Sequence, residues 1–428
     1  MRVLVAMLSG LLLLVTGCGS AFEVRSTPPP ATIVASVSPG SSDVGINAPL
    51  MIIAQDGTLS QVRVTGDSGA ELAGTFSPDH TRWTSGPLEF GTAYAVSATG
   101  ADSGGKAATP LNSTFHTTTP KHTLEVMSIR PSAGQQVGVA MPISINFTTP
   151  VRDKASVERA LSVHPSVPTE GSFHWLTSQR VDWRPKEFWK PNTGVRVDLA
   201  LRGVSAGGGT YGRADRSSGF SIGSPRSAVG DAAAHTLTLF EGDRPVRTMP
   251  ASFGQPKYQT HSGIHVVMSK ELTRRMRSDS WVGGPKEGEP GFYDEVLPLA
   301  VRISNNGEFV HVNNLTVSAQ GRRNVSHGCV NLNASNGKFF YDWAQQGDPV
   351  TITNTTVPLS ASEGDISSWV YNWADYQAGS ALTNEPAAPK TVSLPGMPPG
   401  YTPAPARPEP TLFAGMPTQS LVSFDQPN

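Results

Sequence analysis

Short β-prone runs closed by Gly, Pro, Asp or Ser recur from Thr32 to Thr353, and this punctuation sets the fold class. With 43 glycines and 36 prolines in 428 residues, the backbone is interrupted too often for long helices. Residues 32–119 offer the runs Thr32–Val37, Pro49–Ala54, Gln61–Val64 and Thr92–Ser97. Residues 120–225 repeat the pattern with Leu124–Ile129, Ile143–Phe147, Arg180–Trp183 and Val195–Leu199. Both stretches open on a turn, Ser38-Pro39-Gly40 and Arg130-Pro131-Ser132-Ala133-Gly134, as tandem repeats do. Strands at this spacing predict two immunoglobulin-like β-sandwiches. One short helix is expected in the second, capped by Asp153, with Val157, Ala160 and Leu161 on one face. Phe173, Trp175, Trp183, Phe188 and Trp189 could form a ligand groove, but packing within the core and between domains is the favoured reading.

A third region, 226–356, begins with strands at His235–Phe240 and Val246–Met249, has a helix expected near Asn336–Gln346, and closes on Pro349–Thr353. The expected fold class is therefore mainly β throughout. Residues 357–383 carry Trp369, Tyr371, Trp373 and Tyr376, too aromatic for a free tail, and are expected to fold back onto the third region as a C-terminal subdomain. Residues 384–428 hold 11 prolines in 45 positions and are expected to be disordered or extended as polyproline II.

The first 17 residues read as an export signal. Arg2 precedes the apolar run Val3–Val15, which falls short of the roughly 20 residues a bilayer span needs. The run ends in Val15-Thr16-Gly17-Cys18, which resembles a bacterial lipoprotein signal cleaved before a lipidated cysteine. An ordinary signal peptide with an incidental cysteine is the alternative. On the first reading, residues 18–31 are the lipidated Cys18 and a spacer, and the protein is anchored through lipid to the outer face of the cell membrane. Lys and Arg total 33 against 34 Asp and Glu, a near-balance that argues against bulk electrostatic binding to nucleic acid, and no nucleic-acid partner is expected. Two cysteines exclude a thiolate-rich zinc site and a disulfide-dense scaffold.

If lipid consumes Cys18, Cys329 is the one free thiol of an exported chain, and it needs a reason to be there. A buried small hydrophobe is the simplest. Against that, it lies in Ser326-His327-Gly328-Cys329-Val330-Asn331, a polar and flexible segment. Gly328 permits a tight turn, and the amides around it could converge on a developing oxyanion. An ordinary thiol needs a base to become nucleophilic. His327 is close in sequence, whereas His311 lies 18 residues upstream in a β-like run, Gly307–Val312. Spacing alone does not choose between them.

His311 followed at a distance by Ser326-His327-Gly328-Cys329-Val330-Asn331 resembles the signature of the L,D-transpeptidase catalytic domain, the YkuD fold. The wider layout looks like that of the mycobacterial L,D-transpeptidases. The Pro-rich tail and the run Asn313–Gly321 are most like one member of that group. The resemblance implies that Cys329 is the nucleophile and His311 the base, oriented by the backbone carbonyl of Val312. It implies that His327, Gly328 and Cys329 line the oxyanion site. Tyr293 stands where the family has a lid tyrosine, and Asn306, Gly307, Ser326 and Asn331 fall at substrate-binding positions. Two departures occur. Asn313-Asn314-Leu315 replaces a segment that usually carries a tryptophan, and His261-Ser262-Gly263 replaces the usual Pro-Thr-Gly.

The reaction so implied is acyl transfer between peptidoglycan tetrapeptide stems, as donor and acceptor, without metal or cofactor. Cys329 displaces the terminal D-Ala from diaminopimelate, and an amine of a second stem takes the acyl group to give a 3→3 cross-link. Carbapenem inhibitors are expected to acylate the same thiol. An L,D-carboxypeptidase would use the same residues with water as acceptor. A non-catalytic wall-binding lipoprotein is disfavoured by the intact His311 and Cys329, and a papain-like protease by the order of the two. The basic run Lys270–Arg277 reads as a solvated surface, and His116, His122, His164 and His174 lack metal-ligand spacing.

Overall fold

The computed structural model describes residues 29–280, 283–361 and 366–383. The export signal, Cys18 and the Pro-rich tail lie outside the described residues. The chain divides into two compact units, one ending at Thr118 and the other running from Thr119 onward with the short loop Gly45–Asn47.

The first unit is a β-sandwich. One sheet runs in the order Thr32–Ala35, Met51–Gln55, Arg82–Ser85, Gly74–Phe76, and the other pairs Gly57–Gly66, Ala93–Asp102 and Leu111–His116. Strand Ala93–Asp102 shows why: Tyr94, Val96 and Ala98 are buried and alternate with exposed neighbours, the period of a strand with one face on a core.

The second unit holds the other sandwich and the third region. In the sandwich, Gly171–Trp175, Arg180–Pro185, Ile143–Phe147 and Val126–Arg130 face a sheet of Gln136–Val137, Arg216–Ile222, Gly194–Leu199 and Leu161–Pro165. Trp175, Trp183 and Trp189 are buried in its core. The expected helix spans Lys154–Arg159, and Asp153 accepts the Ser156 N–H at 3.0 Å. Ala160 is already its C-cap and Leu161 begins a strand, so the helix is shorter than the sequence suggests.

The third region is built on two sheets. One runs Arg244–Pro250, Thr236–Glu241, Arg226–Asp231, Pro349–Thr353, Gly263–Val266. The other runs Ser269–Arg277, Asp294–Arg302, Phe309–Val312, Val330–Leu332. The basic run is the exposed surface expected of it, and it is also a strand paired with Asp294–Arg302. Helix Ala334–Trp343, capped by Asn333, covers the second sheet. It sits so close that a Cβ on Gly337 would lie 2.3 Å from Val312 Cγ2, which requires glycine there.

The aromatic C-terminal segment touches the third region, where Ser368–Val370 also lies against Gly263–Val266, and reaches the second sandwich as well. Its start stays on the third region, where Ser262 N–H donates to the Val357 carbonyl at 2.7 Å and Leu359 N–H to that of Ser262 at 2.8 Å. Residues 366–383 then cross to the second sandwich. Arg184, 2% exposed, donates from Nε to the Ser368 carbonyl at 3.0 Å and from Nη2 to that of Tyr371 at 3.1 Å. Its guanidinium lies 4.5, 5.2 and 4.4 Å from the rings of Trp369, Trp373 and Tyr376. Buried Glu158 accepts N–H groups of Trp175 and Ala381, each at 2.8 Å. Buried polar groups of the sandwich supply these partners, which is why the segment docks there.

Candidate active site

His311 and Cys329 meet because their strands are neighbours. Phe309–Val312 pairs in parallel with Val330–Leu332, setting Val310 opposite Val330 and His311 opposite Asn331. Cys329 immediately precedes its strand, and Gly328, at φ +121°, turns the chain into it, a conformation that favours glycine. The loop is pinned from both sides. Buried Thr260 donates to the Gly328 carbonyl at 2.7 Å and accepts the Gly254 N–H at 2.9 Å. Ser326 Oγ donates to the Cys329 carbonyl at 2.6 Å and accepts the Gly328 N–H at 3.2 Å. Ser326 lines the site, but its hydroxyl braces the loop, and the Gly328 amide is engaged rather than open to an oxyanion.

His311 is 2% exposed, and its Nδ1 lies 3.0 Å from the Val312 carbonyl. A carbonyl accepts only, so Nδ1 carries the proton and Nε2 is the basic nitrogen. Burial pushes its pKa down to about 4, only partly opposed by that carbonyl. Cys329 keeps part of its surface open, yet burial pushes its thiol up to about 12, with the Glu308 charge adding to the rise and the Phe309 amide opposing it. The S–H donates to the Gly307 carbonyl at 3.6 Å. The resting pair is therefore a neutral thiol beside a neutral imidazole.

Two pockets meet at Cys329. A smaller one, about 170 Å³, also includes His311, Tyr293, His327, Ser326 and Asn331. A larger one, about 700 Å³, includes Tyr258, Tyr293, Asn306, Gly307, His327 and Gly328. His327 lies between Tyr258 and Tyr293, each ring centred 4.9 Å away and tilted to it, and forms the wall the two pockets share. Every expected contact position thus borders one pocket or the other, although Asn306 Nδ2 lies 2.9 Å from the His261 ring and Asn331 is 2% exposed.

Sequence reasoning missed the layer beneath. Glu308, 4% exposed, accepts both the backbone N–H and ring Nδ1 of His261 at 2.8 Å. Its other oxygen lies 3.6 Å from Nδ1 of the buried His265. The unusual His261 thus has a partner in Glu308, and an acid three residues before the base was the available signal. Tyr258 and Lys257 were also missed, since nothing local in sequence places them against His327.

Comparison with known proteins places this arrangement. The L,D-transpeptidase catalytic domain matches residues 225–352, and a bacterial Ig domain matches 41–205. L,D-transpeptidase 2 of Mycobacterium tuberculosis (strain CDC 1551 / Oshkosh) is 35% identical over 350 residues, 82% of this chain and 85% of that protein. L,D-transpeptidase 5 of Mycobacterium tuberculosis (strain ATCC 25618 / H37Rv) is also 35% identical, over 86% of this chain and 81% of that protein. A solved L,D-transpeptidase in complex with imipenem aligns at 36% identity and a TM-score of 0.47, over 53% of this chain and 98% of that one. The identity to the two M. tuberculosis proteins extends over most of both chains, and this chain belongs to the L,D-transpeptidase family of peptidoglycan acyltransferases.

Proposed function

We propose that Cys329 is the nucleophile and His311 the general base in the formation of 3→3 cross-links. The observation that carries the reading is that both side chains open on one pocket while Val312 fixes the imidazole tautomer. With the thiol up near 12 and the imidazole down near 4, no thiolate–imidazolium pair is stored at rest. The proton moves from Sγ to Nε2 as sulfur attacks the scissile carbonyl of a tetrapeptide stem. The oxyanion is met by the amides of His327 and Cys329. Collapse breaks the C–N bond, Nε2 returns the proton to the departing D-Ala amine, and a thioester on Cys329 is left. An amine of a second stem then attacks it, its proton passing to Nε2 and from there to the released sulfur. Two pockets meeting at one sulfur suit a reaction that brings donor and acceptor in turn. Carbapenems acylate Cys329 on this reading, because a strained lactam carbonyl meets the same nucleophile.

We place the protein on the outer face of the membrane through lipid on Cys18, with sandwich domains at 32–119 and 120–225 and the catalytic domain at 226–356. Palmitate labelling lost in Cys18→Ala tests the anchor. The chemistry is tested by incubating the protein with disaccharide-tetrapeptide beside Cys329→Ala and reading products by mass spectrometry. A Cys329-dependent dimer lacking one D-Ala is expected. Tripeptide without dimer would make water the acceptor and the enzyme an L,D-carboxypeptidase.

A further inference from the structure

The larger pocket beside Cys329 is lined by five cations, Lys257, Arg274, Arg275, Arg277 and Arg302. Four of them are already occupied. Arg275 grips Asp294 through two bonds of 2.7 and 2.6 Å. Arg277 holds Asp279 at 2.9 and 2.7 Å and Asp294 at 3.2 Å. Arg274 lies 3.3 Å from Glu271. Arg302 donates to the Ser304 carbonyl at 3.0 Å and covers the Phe309 ring. Lys257 differs: it is exposed, and among the described residues no carboxylate pairs with it. Its Nζ lies 4.9 Å from the Tyr258 ring, and Tyr258 packs against His327, two residues before the sulfur. Its charge reaches that far, helping burial hold the His327 pKa low. An uncommitted ammonium on a flexible stem, poised over an aromatic ring at the mouth of a reactive site, is suited to a mobile anion.

We infer that Lys257 is a specificity-determining residue that receives a carboxylate of the stem peptide in the larger pocket. The inference rests on the proposed chemistry at Cys329. A tetrapeptide stem offers two such groups near the scissile bond, the terminal carboxylate of D-Ala and the side-chain carboxylate of diaminopimelate. Both present the same chemistry to Lys257.

The test compares wild type, Lys257→Met and Lys257→Arg on stems that are free, amidated at D-Ala, amidated at diaminopimelate, or amidated at both. On the free stem, Lys257→Met should raise KM about fivefold, the upper end of what one exposed ion pair contributes, with a much smaller change in kcat. Lys257→Arg should recover most of that loss. Amidating the recognised carboxylate should cost wild type a similar factor and cost Lys257→Met little further, and whichever single amidation does so identifies the group. The KM gap should also narrow as salt is raised. A Lys257→Met enzyme with wild-type KM on the free stem, or one equally impaired on the doubly amidated stem, would overturn the assignment. Intact-mass detection of the Cys329 acyl adduct in wild type is read separately. Its absence would sink the proposed chemistry and the assignment with it, whereas its presence with an unmoved KM sinks only the role of Lys257.

Discussion

Replacing Asp348 by Asn should stabilise the second unit above pH 7 and change it little near pH 4. Asp348 is 1% exposed at the junction of the second sandwich and the catalytic domain. Its Oδ2 accepts the Gln345 N–H at 2.8 Å, while Oδ1 has no hydrogen-bond partner among the described residues and packs against Gly138. Burial pushes its pKa up from 3.8 to about 7, against the pull of the Gln345 amide and the charges of Arg226 and Lys270. Those two cations are turned to main-chain carbonyls, Arg226 to Trp343 at 2.6 Å and Lys270 to Ala344 at 2.8 Å. Between pH 3.8 and about 7 the folded carboxyl keeps a proton that the unfolded chain releases, so stability falls as pH rises through that window. At about 1.36 kcal/mol per unit, the cost is at most roughly 4 kcal/mol and is fully present above pH 7. Asn keeps an acceptor for Gln345 and carries no charge. Urea unfolding followed by tryptophan fluorescence should therefore show Asp348→Asn more stable than wild type by about 2–4 kcal/mol at pH 8, with most of that gap closed at pH 4. Equal stabilities at pH 8, or a less stable variant there, would refute burial as the dominant influence on this carboxyl.

Three further outcomes are expected. The acid limb of kcat/KM should fall near pH 4, set by His311, and alkylation of Cys329 by iodoacetamide should still be climbing at pH 10; a plateau near pH 8.5 would contradict the buried thiol. Gly328→Ala should fold, because the nearest atom to the new methyl is Glu308 Cγ at 3.6 Å. The strain of a side chain at φ +121° should nonetheless shift the loop and cut turnover at least about tenfold, so wild-type turnover would show the loop tolerates it. Arg184→Met should cost about 2–4 kcal/mol and expose residues 366–383 to protease, as hydrogen bonds to several carbonyls are lost; an unchanged urea midpoint and digestion pattern would count against the docking.

The meeting of His311 and Cys329 at one pocket was legible because the signature that holds them is local. Ser326 to Asn331 occupies one loop and strand start, and its partner His311 lies on the adjacent strand, so sequence order mirrors spatial order. Strand Pro349–Thr353 was legible for the same reason, as a short β-branched run between turns. What escaped depends on partners far away in the chain. Nothing in Trp369–Tyr376 says that Arg184 of another domain will sit among those rings, and nothing in Lys257-Tyr258 says that His327 will pack there. The basic run Lys270–Arg277 is the exposed surface its charges suggest, but those charges do not reveal the backbone ladder that pairs it with Asp294–Arg302. The Gly328 amide failed expectation through a single hydroxyl, Ser326, whose internal bond a spacing argument cannot see.

The crossing of residues 366–383 onto the neighbouring sandwich bears on modularity. A catalytic domain cut out at residue 356 would lose this strap, and the sandwich left behind would hold a buried guanidinium and a buried carboxylate each short of part of its partners. The second sandwich is therefore no interchangeable spacer. It and the catalytic domain form one inheritable module, since domain shuffling that separates them must also replace Arg184 and Glu158. Any minimal enzyme designed from this chain should begin no later than residue 119 and end no earlier than residue 383.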